Sequence, residues 1–189
     1  MIRVRWAAAA SVSCLLVMAG GCSDGPKRIN FAEPLPQCSV FVSVLTEQGM
    51  PDPQPLAGTT PSPGSNGFDC TFAAVEGSKP PAIATASILV SRPTYQSDQK
   101  DPAKRYGGVF VVQNDCAGAG AGNPALPSGE SCYQAQSPHD AFIAVSSITE
   151  HSGVHVDLQW SDPDTTADQL RRDALGKANA VAQSVIGML

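Results

Sequence analysis

The sequence is short of most things that would narrow its function. It carries 12 Lys+Arg against 17 Asp+Glu, a net charge of −5. That shortage of basic residues argues against nucleic-acid binding, which draws most of its affinity from Lys and Arg on phosphates. Long apolar runs are missing too. The one near the N-terminus covers about 14 residues, where a spanning helix needs roughly 20. There is no C-x-x-C pair, no G-x-S-x-G elbow and no H-E-x-x-H, so zinc-site and elbow-hydrolase chemistry have no local footing. Charged residues make up 15%, below the usual quarter, yet 42% hydrophobic residues is too many for a disordered chain. A length of 189 residues then suits one folded domain with loop-rich stretches.

What is present begins at the N-terminus. Arg3 and Arg5 make a positive start, Trp6 to Ala19 a short apolar core, and Ala19-Gly20-Gly21 the small residues of a signal-peptidase site. Cys22 follows directly, before Ser23, Asp24, Gly25 and Pro26. This resembles a bacterial lipobox, in which the cysteine at the cut is diacylated and becomes the first residue. The place three before the cysteine is Ala19, where Leu is usual. The alternative is an ordinary secretory signal with an incidental cysteine, and either reading exports the protein. Residues 1–21 are thus read as leader, 22–36 as lipidated N-terminus and tether, and 37–189 as a single domain. Acyl chains contribute about 0.8 kcal/mol per buried methylene, so two or three of them hold such a domain at a membrane. Losing the leader removes Arg3 and Arg5 but no acid, leaving 10 basic and 17 acidic residues, net −7.

Export sets the cysteine reading. Cys14 leaves with the leader and Cys22 takes lipid, so Cys38, Cys70, Cys116 and Cys132 remain in an oxidising compartment. Four cysteines allow three pairings. Cys38–Cys70 and Cys116–Cys132 are favoured, the second because it closes the glycine-rich AGAGAGNPALPSGES stretch, worth about 3 kcal/mol in the chain-entropy model. Metal ligation is the rival, with the wrong spacing for zinc.

Periodicity outlines the fold. Residues 38–48 suit a helix with Cys38, Phe41 and Leu45 on one face and Gly49 as a stop. Residues 51–66 carry five prolines and read as loop. From Gly67 to Val75, Phe68, Cys70, Phe72 and Ala74 alternate onto one face, which turns Cys70 inward towards the helix bearing Cys38. Residues 82–91 read as a second strand, 94–106 as one short helix and 108–114 as a central strand. After a surface loop, 132–136 reads as a short strand, and 141–149 with 154–161 as a hairpin. Its second arm sends Val154, Val156, Leu158 and Trp160 inward and His155, Asp157 and Gln159 outward, onto a solvated face. The closing segment is the clearest helix. Thr166 and Gln169 fit a capping box, Asp164 and Asp168 suit the positive end, and Leu170, Ala174, Ala178, Val181, Val185 and Leu189 make one stripe. The fold class is therefore α+β: an antiparallel β-sheet packed by a short N-terminal helix and a long C-terminal helix.

Candidate chemistry is thin. Gly118, Gly120 and Gly122 mimic a phosphate loop, but Pro124 and Pro127 follow where a helix is needed. Of the three histidines, His139, His151 and His155, only His155 has an acid on its own strand face, Asp157, and no third ligand has a fixed place. Asp162, Asp164 and Asp168 are explained by capping rather than calcium. Trp160 and the phenylalanines read as core. No catalytic residues, metal or cofactor are expected, and the chain reads as a non-enzyme.

The set of Cys22, the early Cys38 opening a helix with Leu45-Thr46, FDCTF at 68–72, a later cysteine and an Ala-rich closing helix resembles actinobacterial cell-envelope lipoproteins of the mycobacterial LprB type. The resemblance spans nearly all of the mature chain. It implies an envelope lipoprotein with no assigned activity and carries no catalytic residues over. Residues 166–189 lack the cysteine many relatives have there, so Cys116–Cys132 rests on the loop argument alone. The expected role is a module on the extracytoplasmic face of the cell membrane, held by lipid, that binds an envelope protein or ligand and no nucleic acid. The alternative is a carrier or sensor of an apolar small molecule or lipid, lodged where Ala174, Ala178 and Ala182 leave room beneath the last helix.

Overall fold

A computed structural model describes residues 35–56, 67–75, 82–92, 120–149 and 152–189. In chain order these form a 3-10 turn (Cys38–Val40), helix α1 (Phe41–Glu47), strands β1 (Gln54–Pro55), β2 (Gly67–Ala73), β3 (Ile83–Ser91), β4 (Ala121–Asn123), β5 (Gly129–Ala135), β6 (Asp140–Ile148) and β7 (Gly153–Ser161), and helix α2 (Ala167–Ile186). The seven strands make one antiparallel sheet in the order β1-β2-β3-β7-β6-β5-β4. The α+β class holds. The leader, Cys22, most of the tether, the helix expected at 94–106, the strand expected at 108–114, Cys116 and His151 lie outside the described residues.

Each helix is bounded by its own sequence. Gly49 takes φ +97 after α1, and its N–H bonds Thr46 O while Met50 N–H bonds Leu45 O, the paired closure of a Schellman motif. Met50 is then fully buried, locking the exit. At the start of α2, Thr166 Oγ1 accepts from Gln169 N at 3.3 Å. Only half the capping box forms, because the Gln169 side chain turns instead to Asp173 and Arg172 along the helix. The buried stripe of α2 is Leu170, Ala174, Ala178, Val181, Ala182 and Val185. Leu170, Val181 and Val185 each contribute roughly 1.5–3 kcal/mol by leaving water.

Both helices cover the same sheet face. Pairing places Phe68, Cys70 and Phe72 of β2 beside Val90, Ile88 and Ala86 of β3, and Ile143 and Val145 of β6 beside Leu158 and Val156 of β7. Helix α2 lies over β5, β6 and β7, with α1 against its side. Phe41 of α1 stacks on Phe68 with ring centroids 6.0 Å apart. Leu35 is buried in the same core, so the folded unit takes in a residue expected to be tether.

Two stretches read as loop prove to be strand. Gln54 and Pro55 pair with Ala73 and Phe72 as a sheet edge, a position that tolerates proline because its missing N–H has no partner to lose. In the glycine-rich stretch, Ala121–Asn123 pair with Gly129–Ser131. The turn between them is rigid. Leu126 N–H bonds Asn123 O, Gly129 N–H bonds Leu126 O, and Leu126 is buried in the main core. A Cβ at Gly129 would stand 2.5 Å from Asn123 O and 2.7 Å from Leu126 Cβ, so only glycine fits there. Helix α2 holds this turn through Asn179, 2.7 Å from the buried Asn123 amide, and Gln183, which donates to Ala125 O at 3.0 Å.

Candidate functional site

The cysteines come first. Cys38 and Cys70 are joined, with Cα atoms 5.6 Å apart, as the inward face of β2 implied. Cys132 is disulfide-bonded as well; its expected partner, Cys116, lies outside the described residues. All three described cysteines are therefore oxidised.

His155 and Asp157 face away from the helices, as alternation required, with His155 Nε2 2.8 Å from Asp157 Oδ1. The expectation of a solvated face holds at Gln159, which is exposed, and in part at Asp157, but fails at His155, which is 7% exposed. Its neighbours explain why. Register sets Gly122, Glu130, Ser146, His155, Leu89 and Asp69 in one row across the outer face. Ser146 in that row and Ala144 and Cys132 in the next are buried around it. A serine, an imidazole and carboxylates in one row have the composition of a hydrolytic site. They lack access: Ser146 is 1% exposed, and a substrate carbonyl cannot approach its hydroxyl. Ser146 and His155 are a buried polar pair in the middle of a row whose ends, Gly122 and Asp69, are exposed.

The aspartates near α2 are structural. Asp162 Oδ1 accepts from Asp164 N at 3.1 Å, and Asp168 sits in the first turn of the helix. Asp140 accepts a 2.6 Å bond from Ser137. Hydrogen bonds from Ser137 and then Ser161 hold its carboxyl below the usual 3.8, burial opposing and His139 assisting. Among the described residues no group of three His, Cys, Asp or Glu could hold a metal ion, and no helix is long and apolar enough to cross a membrane. Trp160 is 7% exposed and belongs to the core.

An accessible concave site lies elsewhere, at a place no local sequence signal marks. β4 begins at Ala121, opposite Ser131. Beside that point a crevice of about 170 Å³ opens between β5 and α2, lined by Ala121, Ser131, Cys132, Tyr133, Ile143, Arg171 and Leu175. Ala121, Ser131, Tyr133 and Ile143 share the inner face by register, so the walls mix apolar and polar surface. Arg171 lies over the Tyr133 ring, its guanidinium carbon 5.6 Å from the centroid, and makes no ion pair among the described residues. The Ser131 and Tyr133 hydroxyls likewise make no hydrogen bond among them. By contrast Ala174, Ala178 and Ala182 have no exposed surface, so no water-sized void borders them. The small side chains bring α2 down onto the strands, and the slot expected for a lipid beneath it is filled.

No family model and no curated protein matches the chain. Among solved structures, the crystal structure of Ara h 8.0201 aligns at 13% identity and a TM-score of 0.20, over 82% of this chain and 93% of that one. A likeness of that size carries no argument about fold or role.

Proposed function

We propose that the protein is an extracytoplasmic lipoprotein, tethered by acyl chains on Cys22, whose domain is a non-catalytic binding module. The observation that carries the binding reading is the crevice at β5 and α2. It is lined by a guanidinium, two hydroxyls that make no hydrogen bond among the described residues, and the carbon of Ala121, Ile143 and Leu175, the mixed composition of a small recognition site. The export reading is supported by the leader pattern, by the oxidised state of Cys38, Cys70 and Cys132, and by the resemblance to envelope lipoproteins. A photo-cross-linking residue in place of Ala121 in the full chain, activated in intact cells, tests recognition. A discrete adduct at Ala121, and none from a matched position on exposed Gln159, is the expected result. Equal labelling from both positions, or none from either, overturns it. Fatty-acid labelling lost in Cys22→Ser tests the tether, and unchanged labelling refutes it.

A further inference from the structure

We infer that the crevice between β5 and α2 takes a small organic carboxylate whose apolar body is about the size of a benzene ring. The inference rests on the binding-module reading and names the ligand class for it. Size comes first: about 170 Å³ is close to the roughly 150 Å³ apolar cavity that accepts benzene, and too small for a lipid chain with its head group. Shape and polarity follow from the walls. Ala121, Ile143 and Leu175 offer carbon, while Ser131 and Tyr133 each offer a hydroxyl that has no partner among the described residues.

Charge decides the class. Arg171 is one of three Lys or Arg residues after Arg105, the others being Arg172 and Lys177. Arg172 donates to Gln169 along the helix surface, away from the crevice lining. Arg171 therefore supplies the positive charge at this crevice, among the described residues. Its guanidinium lies over the Tyr133 ring and is engaged by no carboxylate among the described residues. A planar fork of N–H donors suits the two oxygens of a carboxylate. The net negative chain repels anions in general, so affinity depends on this one contact and falls with salt.

Benzoate is the probe, titrated into the isotopically labelled leaderless chain at low ionic strength and followed by amide NMR. Shifts confined to Ala121, Ser131, Tyr133, Ile143, Arg171 and Leu175 are expected, with a dissociation constant on the order of 1 mM for so small a ligand. Benzamide, the same body without the charge, should bind at least about tenfold more weakly, as should benzoate to Arg171→Met. Arg171→Lys should fall between, since it keeps charge but not the fork. Arg171 is exposed, so these variants keep the fold, and unchanged shifts elsewhere verify it. Equal binding of benzamide, indifference to Arg171→Met, shifts elsewhere, or none at tens of millimolar each overturn the inference. A specific adduct at Ala121 in cells alongside any of these results refutes the ligand class and leaves the binding module standing; no adduct removes both.

Discussion

The Cys38–Cys70 bond closes a loop across 32 residues, and its contribution to stability follows from that length. Removing the bond releases loop-closure entropy in the unfolded chain, which the chain-entropy relation puts at about 3.7 kcal/mol for this loop at 25 °C. Both sulfurs are lost in Cys38→Ala/Cys70→Ala, and Cys70 has no exposed surface, so a packing loss of about 1 kcal/mol adds to it. With a urea slope of about 2 kcal/mol/M, the midpoint should fall by roughly 2 M. The measurement is equilibrium urea unfolding of the leaderless chain and the double variant, monitored by tryptophan fluorescence. The entropic argument also predicts a steeper slope for the variant, because an unlinked denatured chain exposes more surface. Reducing the wild type must cost more than the double substitution, since Cys132 is disulfide-bonded too. A midpoint loss below about 0.5 M, with the slope unchanged, would refute the reasoning and show that the unfolded chain keeps these ends together without the bond.

Three further outcomes test the local arguments. Thr166→Ala should cost about 1 kcal/mol in the same urea experiment, because the Gln169 N–H loses its 3.3 Å acceptor; no loss means water replaces the cap. Gly129→Ala should cost about 2 kcal/mol or more, since the new methyl meets Asn123 O and Leu126 within 2.8 Å; a neutral effect would show the turn is not held as described. Asp140 should titrate below 3.8 by carboxyl-carbon NMR, and Ser137→Ala should raise its midpoint. A folded-state pKa below the unfolded one gives stability that is present above the unfolded value and lost as pH falls through the folded value. The acid limb of unfolding should therefore begin at higher pH in Ser137→Ala, and coincident limbs would exclude the Ser137 bond as the cause.

Strands whose side chains alternate were legible from the residues themselves: Phe68, Cys70 and Phe72 in β2, and Val154, Val156, Leu158 and Trp160 in β7 all face the helices. β4 was not. Ala121 and Gly122 carry too little side chain to show a period, and the strand is held by Asn123 reaching Asn179, 56 residues away. β1 was masked by Pro55, which counts against a strand unless its edge position is known. His155 shows a different limit. Period two assigned its face correctly, but whether a given residue on that face meets solvent depends on distant parts of the chain: Gln159 does and His155 does not. The crevice needed still more. Arg171 sits one residue beyond Leu170, about 100° round the helix, so it lies at the border of the buried stripe. Which strand that border meets follows from the sheet order, and nothing local encodes it.

That same sheet order relates the tether to the site. Cys70, Ile88, Val156, Val145 and Ser131 form one row across β2, β3, β7, β6 and β5 on the helix-covered face. The chain enters the domain through Leu35 and Cys38, and the disulfide pins that entrance to Cys70 at one end of the row. Ser131, at the other end, lines the crevice. Four strand spacings separate them, on the order of 19 Å. Under the proposed reading a lipid on Cys22 would join the domain on its β2 side, at the other end of this row from the crevice where Arg171 and Tyr133 meet. Benzoate should therefore bind the lipidated protein on neutral vesicles as tightly as it binds the leaderless chain, and weaker binding on vesicles would refute that separation of anchor and site.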